Sequence, residues 1–259
     1  MKKTSVWFLA IFFLGSLLNT QTLDEILTKN YQARGGLDKL KAITALKMSG
    51  NIVIPAQGIE MPMVMWQKNS NKMRIESTFH EKVIVQAYDG QKAWLIMPFM
   101  VPDTREMSQE QSKEFKDQAD SENPLLVYKE KGYKLELLGK EDLEGTSVFK
   151  LKLTKGDGRE INFYLDATSG IELKSTMVLK SGTSETINEI IFGDYKPVDG
   201  LLMPFHIENK TNGKTQAQLT VATIEINPVI DDAIFVMPLT KDEAMKLIWL
   251  LMTRFLSCR

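Results

Sequence analysis

An alternation of apolar and polar residues with a period of two recurs through most of this 259-residue chain, and it constrains the fold more than any other feature. In the first such stretch, Leu46 and Met48 alternate with Lys47 and Ser49. Successive side chains of a β-strand point to opposite faces, so this pattern predicts half-buried strands. The further stretches are 61–67, 72–79, 83–88, 93–97, 133–138, 147–153, 161–165, 171–179, 186–192, 202–207 and 215–226. Together they predict about eleven strands.

Short turn signals separate these stretches, among them Asp89-Gly90, Asp199-Gly200 and Asn212-Gly213. Such dipeptides join antiparallel neighbours through tight hairpins, whereas parallel strands need long crossover connections. No strand–helix–strand rhythm and no repeat of fixed period is present. We therefore predict a mainly β (α+β) fold, with a single large curved antiparallel sheet or incomplete β-barrel and covering helices.

Two regions carry helical signals. Thr22 precedes Glu25 by three residues, which is a capping-box spacing that opens a helix, and Gly35-Gly36 ends it before a short second helix from Leu37. The segment 108–118 is polar, with Phe115 as its one prominent apolar residue. It predicts an exposed helix that lies on the sheet and, with the first helix, covers the open side of a half-barrel.

The two ends of the chain differ from the middle. Lys2 and Lys3 precede an uncharged apolar run over 6–18, which predicts a signal peptide at 1–20, cleavage after Thr20, and a periplasmic location. The lone Cys258 excludes an intramolecular disulfide. We expect a domain over 21–238 and a C-terminal amphipathic helix over 239–259. That helix docks on its own domain or contacts a partner or a membrane surface.

Composition and motifs exclude several function classes. The chain has 32 Lys+Arg and 33 Asp+Glu, which is not the basic excess of a nucleic-acid binder. No G-x-S-x-G, H-E-x-x-H, C-x-x-C or phosphate-binding loop is present, and His80 and His206 are the only histidines. We expect no catalytic residue, no metal and no cofactor. A secreted enzyme stays open as the different-class alternative, because only a structure reveals a clustered acid and base.

Methionine is prominent: the chain has 14, and Met61, Met63 and Met65 share one face of one predicted strand. Its flexible side chain lines surfaces that adapt to variable apolar shapes, so we predict an apolar pocket on the concave face. Ordinary core packing is the alternative. The predicted lining is Met48, Ile52, Met63, Met65, Met73, Ile75, Trp94, Ile96, Phe99, Phe115 and Met177.

Four short motifs carry a resemblance to a known family. They are 66–75, with a Trp-ended strand and a Lys-rich turn; 85–99, with Asp-Gly-x-x-x-Trp-x-x-x-Pro-Phe; 31–37; and 194–201. In these stretches the chain resembles LolA, the periplasmic carrier that moves lipoproteins to the bacterial outer membrane, and the related outer-membrane lipoprotein-sorting proteins. The resemblance spans roughly Thr22 to Pro238 and does not include the C-terminal helix.

The resemblance implies an incomplete barrel with a helical lid and a cavity for acyl chains, not an enzyme. Its implied partners are lipoprotein acyl chains or another lipid, an inner-membrane lipoprotein-releasing transporter and an outer-membrane acceptor, with transient membrane contact. LolA has an arginine in the turn before its second strand that helps to hold the lid shut, and the matching position here is Asn69. We therefore expect a looser lid. A carrier or sensor of another envelope lipid or glycolipid, or a structural envelope protein, remains an alternative.

Overall fold

A computed structural model describes residues 21–69, 71–100, 104–120, 122–181, 184–239, 245, 246 and 249. The predicted signal peptide over 1–20 and most of the predicted C-terminal helix lie outside these residues. None of the helices in the described part of the chain combines the length and the apolar character that a membrane crossing requires.

In the part of the chain that the structure describes, thirteen strands form one sheet in which every neighbouring pair is antiparallel. Their bounds are β1 Ala45–Ile54, β2 Ile59–Lys68, β3 Lys72–Phe79, β4 Lys82–Tyr88, β5 Ala93–Ile96, β6 Thr104–Glu106, β7 Lys134–Leu143, β8 Thr146–Thr154, β9 Glu160–Asp166, β10 Glu172–Ser181, β11 Ser184–Val198, β12 Leu201–Thr211 and β13 Lys214–Ile226. The predicted single antiparallel sheet is confirmed.

The order of strands across the sheet is β6-β5-β4-β3-β2-β1-β13-β12-β11-β10-β9-β8-β7. Consecutive strands pair with each other, except β6 and β7, which form the two edges of the sheet. In addition, β1 pairs with β13, so the first and last strands of the chain lie side by side. The sheet is therefore curved but open, as an incomplete barrel requires. The strand count of about eleven was low, partly because β6 has only three residues and carries no readable alternation.

Between residues 21 and 239, where described, four α-helices precede or interrupt the strands. They are α1 Leu23–Ala33, α2 Leu37–Lys41, α3 Gln109–Ala119 and α4 Pro124–Val127. The predicted capping box is present, since the Thr22 hydroxyl accepts from the Glu25 amide and the Glu25 carboxylate accepts from the Thr22 amide. Gly35 and Gly36 have φ angles of +109° and +104°, which β-carbon-bearing residues avoid, so the helix ends there. Helix α4 was not predicted.

The register defines two faces of the sheet. Residues opposite one another in antiparallel strands point the same way, so Met48 shares a face with Met65 and Ile224. We call this side the inner face, because helices α1 and α3 lie on it. Gly50 of β1 faces Met63, and a β-carbon at Gly50 would stand 2.1 Å from the Thr220 carbonyl oxygen of β13. Only glycine permits this close approach.

After β13, residues 227–239 run back across the outer face; we call this segment the strap. Asn227 fastens its beginning, since its side-chain oxygen accepts from the amides of Thr44 and Ala45. Further along, Phe235 is fully buried, and Arg74 donates to the Ile234 carbonyl. The strap thus gives part of the outer face a core of its own.

Candidate functional site

The inner face carries three apolar clusters along the sheet. Near β5 it presents Leu95 and Met73, and near β8 it presents Leu151 and Leu153. Between these, β12 and β13 contribute a third apolar cluster. The members of that cluster are Leu40, Leu201, Met203, Phe205, Val221 and Ile224. A sheet face with large apolar clusters must be covered, and helices cover parts of it here.

The helices that cover the inner face differ in how they dock. Helix α1 packs Ile26 and Leu27 onto the β7–β9 end, together with Leu125 of α4. Helix α3 packs Phe115 and Ala119 onto the β3–β5 end. Both covers are therefore amphipathic, but α3 has a single large apolar anchor, as the sequence predicts.

A crevice of about 340 Å³ opens between these covers, and we call it the mouth crevice. It lies among the end of α1, helix α2, the β1 and β2 ends, and residues 122–130. Its apolar lining consists of Leu40, Ile43, Ala45, Leu46, Leu126, Val127 and Met203. Its polar lining consists of Arg34, Lys41, Thr44, Gln67, Glu122, Asn123 and Glu130. A concave, half-apolar space of this volume with a few convergent polar groups is typical of a small-molecule site.

Gln67 is the unusual member of this lining. It follows Met61, Met63 and Met65 along the inner face of β2 and is only 7% exposed. Among the described residues, its side-chain amide has no hydrogen-bond partner. In the same part of the chain, every side-chain nitrogen or oxygen that is shielded from solvent has a partner, so the unpaired amide of Gln67 must be accessible to solvent. The amide therefore reaches the crevice. Because the amide meets solvent there, water or a polar group of a ligand supplies its hydrogen bonds.

Arg34 ends α1 and lines the same crevice. No described carboxylate lies within ion-pair distance of its guanidinium. The nearest buried acid is Glu172 of β10, whose pKa burial raises to about 7, while the charge of Arg34 acts in the opposite direction. Burial likewise raises the pKa of Tyr195, whose hydroxyl donates to the Glu172 carbonyl at 2.6 Å.

The acids on the rim of the mouth crevice are already paired. Glu130 accepts from Lys41 at 2.5 Å, and Glu122 forms an ion pair with Lys131. Lys41 and Glu130 also border a second crevice of about 540 Å³, which opens beside α1 and is lined by Leu27 among others. This ion pair therefore stands between the two spaces.

A third crevice, of about 400 Å³, is polar and lies beside the end of α3. There Asp117 of α3 receives two hydrogen bonds from Arg159 of the β8–β9 turn, the shorter at 2.6 Å. Asp157 holds the same guanidinium at 2.6 Å. Since α3 lies on β3–β5, this contact joins opposite ends of the sheet and shows how far the sheet curls.

The structure brings most of the predicted pocket residues to the inner face. The residues found there, from the register and the packing, are Met48, Ile52, Met63, Met65, Met73, Ile75, Phe115 and Met177. Met73 of β3 and Phe115 of α3 are both buried in the cluster between this helix and the sheet. Phe99 is 49% exposed beyond β5, where its ring meets Phe79 edge to face. None of the predicted residues lines the three crevices.

The prediction that Trp94 and Ile96 line the concave face is wrong. Across from β4, Trp94 pairs with Ala87 and packs with Val85, on the outer face. Its indole nitrogen donates to the Phe235 carbonyl of the strap at 2.7 Å. Ile96 is on the same side. Strand β5 is apolar on both faces because the strap covers the outer one, so alternation cannot assign its faces.

Neither histidine belongs to a possible metal-binding group among the described residues. His80 lies in the β3–β4 turn beside Phe79, and His206 of β12 lies on the outer face opposite Thr220. Among the described residues, no group of three or more His, Cys, Asp and Glu side chains is arranged to hold a metal ion.

Sequence reasoning missed Arg34 and Gln67, and one signal was available. Gln67 continues the inner-face positions of Met61, Met63 and Met65, so a polar amide stands where the period requires an apolar residue. Such a break in an apolar face marks either a satisfied core amide or a ligand contact. Arg34 carries no comparable signal, because a cation after the last turn of a helix is ordinary.

The fold has counterparts among solved structures. An outer membrane lipoprotein-sorting domain from Vibrio parahaemolyticus superposes with a TM-score of 0.55 at 14% identity, over 82% of this chain and 94% of that one. A LolA superfamily protein from Nitrosomonas europaea gives 0.55 at 16% identity, over 86% and 99%. A DUF1329 family protein from Desulfovibrio piger gives 0.55 at 11% identity, over 81% and 97%.

No protein-family model and no curated protein sequence matches the chain. The similarity therefore resides in the tertiary structure. Identities of 11–16% establish a shared fold, and at that level the resemblance to LolA found in the sequence is confirmed: the chain has the open-barrel fold of the LolA superfamily.

Proposed function

We propose that this protein is an exported, non-catalytic carrier that shields acyl chains of lipoproteins or another envelope lipid in the periplasm during their transfer to the outer membrane. One observation carries the proposal: the inner face of the sheet bears three apolar clusters, which lie under helices that dock separately. Each buried methylene gains about 0.8 kcal/mol, so a chain of ordinary length is held without any catalyst.

The inner face suits a flexible guest. Met61, Met63 and Met65 lie side by side with Met48 and Met73 of the neighbouring strands. Thioether side chains change rotamer easily and adapt to differently shaped chains. In this structure Met73 is buried in the cluster that α3 covers, so an acyl chain reaches this side chain only when α3 moves.

Helix α3 is the proposed gate. Its apolar contact is centred on Phe115, and full burial of one Phe is worth about 1.5–3 kcal/mol. A docking free energy of that size leaves the open form populated at the percent level. The resemblance places Asn69 where LolA has the arginine that holds its lid, and here Asp117 of α3 pairs with Arg159 of the β8–β9 turn.

A cleavable cross-link tests the gate. In a Cys258→Ser background, Asp117→Cys and Arg159→Cys are joined by a short, reducible thiol cross-linker. Exchange of a hydrophobic dye should stop on cross-linking and resume on reduction. Equal exchange rates in the two states would show that ligands do not enter past α3.

Lipid analysis tests the carrier function. Mass spectrometry of the protein purified from the cell envelope should find co-purified acyl lipids or lipoproteins, and its N-terminus should begin at Gln21. An inner-membrane releasing transporter and an outer-membrane acceptor are the proposed donor and recipient of the cargo. A chain that begins at Met1 would contradict export with cleavage.

A pair of neighbouring substitutions localises the binding surface. Met65→Asp puts a charge on the inner face, whereas Val64→Asp puts the same charge on the outer face of the same strand. Dye or fatty-acid binding should fall at least tenfold in Met65→Asp and stay near the wild-type value in Val64→Asp. Equal effects in two folded variants would place the cavity elsewhere.

A further inference from the structure

We propose that the mouth crevice is a head-group site for an anionic amphiphile such as a fatty acid or an alkyl phosphate, in which Arg34 binds the negative charge and the Gln67 amide donates to an oxygen of the same head group. This inference deepens the carrier function and rests on it. It adds the polar end of the ligand, which the apolar inner face leaves undefined.

The first support is Gln67. Its side chain is more than nine-tenths buried, lines the crevice and finds no hydrogen-bond partner among the described residues. An amide supplies both donors and an acceptor. A ligand carbonyl or ester oxygen that accepts from its nitrogen would satisfy a group which the protein leaves open.

The second support is the distribution of charge. Arg34 and Lys41 are the cations of the lining, and Glu122 and Glu130 are its acids. Glu130 is paired with Lys41, and Glu122 is paired with Lys131, which lies outside the lining. Arg34 therefore lacks an ion-pair partner among the described residues. The planar guanidinium binds a carboxylate or phosphate through two parallel hydrogen bonds.

The third support is the apolar floor beside these groups. Leu46 and Met203 line the crevice and also belong to the apolar cluster of the inner face, as does Leu126. An acyl chain whose head lies at Arg34 would continue over these side chains. A small anion without a chain would leave the apolar half of the crevice unused.

Paired ligands and variants test the proposal on the mature full chain. Calorimetry compares palmitate with hexadecanol, which has the same chain and no charge. Wild-type protein should bind palmitate about tenfold more tightly, which corresponds to about 1.4 kcal/mol. Arg34→Gln should remove that preference by weakening palmitate binding about tenfold, while Arg34→Lys should restore part of it. Lys39→Gln, an exposed cation on α2 outside the crevice, is the matched control.

Gln67→Leu gives a second readout, since it should weaken palmitate and its methyl ester alike by removing the carbonyl contact. Dodecyl phosphate against inorganic phosphate separates the possible sources of the anion. Tighter binding of the alkyl form supports the proposal, and equal binding of free phosphate overturns it in favour of a simple anion site. Equal palmitate and hexadecanol affinities, unaltered in a folded Arg34→Gln, refute the head-group site while the carrier function stands. Binding of neither ligand contradicts both.

Discussion

The two ends of the inner face are covered in different ways. At the β7–β9 end, α1 buries Ile26 and Leu27 and is also tied to the sheet by hydrogen bonds: Asn30 donates to the Gly170 carbonyl and Lys29 to the Ala167 carbonyl, each at 2.7 Å. At the β3–β5 end, α3 has Phe115 and Ala119 and partly exposed ion pairs. The two covers of the sheet thus differ in the kinds of contact that hold them.

The two covers differ because buried hydrogen bonds hold α1, whereas partly exposed ion pairs hold α3. Buried hydrogen bonds in a packed core persist, because breaking them leaves unpaired groups. An ion pair open to solvent is worth at most about 1 kcal/mol. We therefore expect local opening to start at α3 and not at α1.

The largest predicted effect compares the two anchors. Ile26→Ala should lower the free energy of unfolding by about 2–5 kcal/mol, because it leaves a cavity in a core that cannot separate. Phe115→Ala should lower it by no more than about 1.5–3 kcal/mol, although a larger side chain is removed, since α3 can simply detach. Urea denaturation measures both values.

Thr28→Ala and Lys113→Ala, exposed positions on the same two helices, serve as controls. Hydrogen exchange should show low protection for α3 amides and near-global protection for α1 amides. A greater loss of stability in Phe115→Ala than in Ile26→Ala would reverse the comparison.

The second effect concerns the buried carboxyl group near the α1 end. Burial raises the pKa of Glu172 from 4.5 to about 7. The folded state therefore holds a proton that the unfolded state releases, so stability is highest at low pH and falls as pH rises from about 4.5 to about 7. At 1.36 kcal/mol per pKa unit, the loss is on the order of 3 kcal/mol.

Glu172→Gln should remove this slope and make the protein more stable than wild type at pH 8. Stability curves between about pH 5 and pH 8 measure the difference. If wild type and variant lose stability in parallel over that range, Glu172 is not the titrating group.

The smallest effect on stability concerns the ion pair between Asp117 of α3 and Arg159 of the β8–β9 turn. Arg159→Gln breaks a partly exposed pair with Asp117, so it should change the free energy of unfolding by less than about 1 kcal/mol. Dye exchange should nevertheless become several-fold faster. Raising the salt concentration should accelerate exchange in wild type and have little effect in the variant, because screening weakens only the intact pair.

Lys134→Gln breaks a more exposed pair, with Glu136 on β7, and is the control for this experiment. It should leave dye exchange unchanged. Comparable acceleration in both variants would assign the effect to general charge and not to the contact that fastens α3.

Much of the fold was predictable because its determinants are local. The capping box at Thr22 involves a partner three residues away, and the Gly35-Gly36 break is a property of two adjacent residues. The alternation in β1 and β2 reports their faces correctly because one side of each strand is more polar. The helix over 108–118 was placed within one residue of its bounds, since Ser108 and Gln111 form its capping box.

The candidate site was less predictable, because distant segments build it. The mouth crevice combines Arg34, Gln67 and Leu126, which have no relation in sequence. Gln67 is a candidate ligand contact because no described protein group forms a hydrogen bond with its side-chain amide. That information exists only after α2, the β2 end and residues 122–130 have come together.

The sequence by itself therefore determined the antiparallel strands, the helix limits and the apolar character of one face, since each depends on spacing along the chain. Tertiary structure alone decided which face of β5 is inner. Trp94 is outside because its indole donates to the Phe235 carbonyl, 141 residues away, under the strap. When a strand is apolar on both sides, its sequence does not show which side faces the cavity. The segments that pack on the strand decide its orientation.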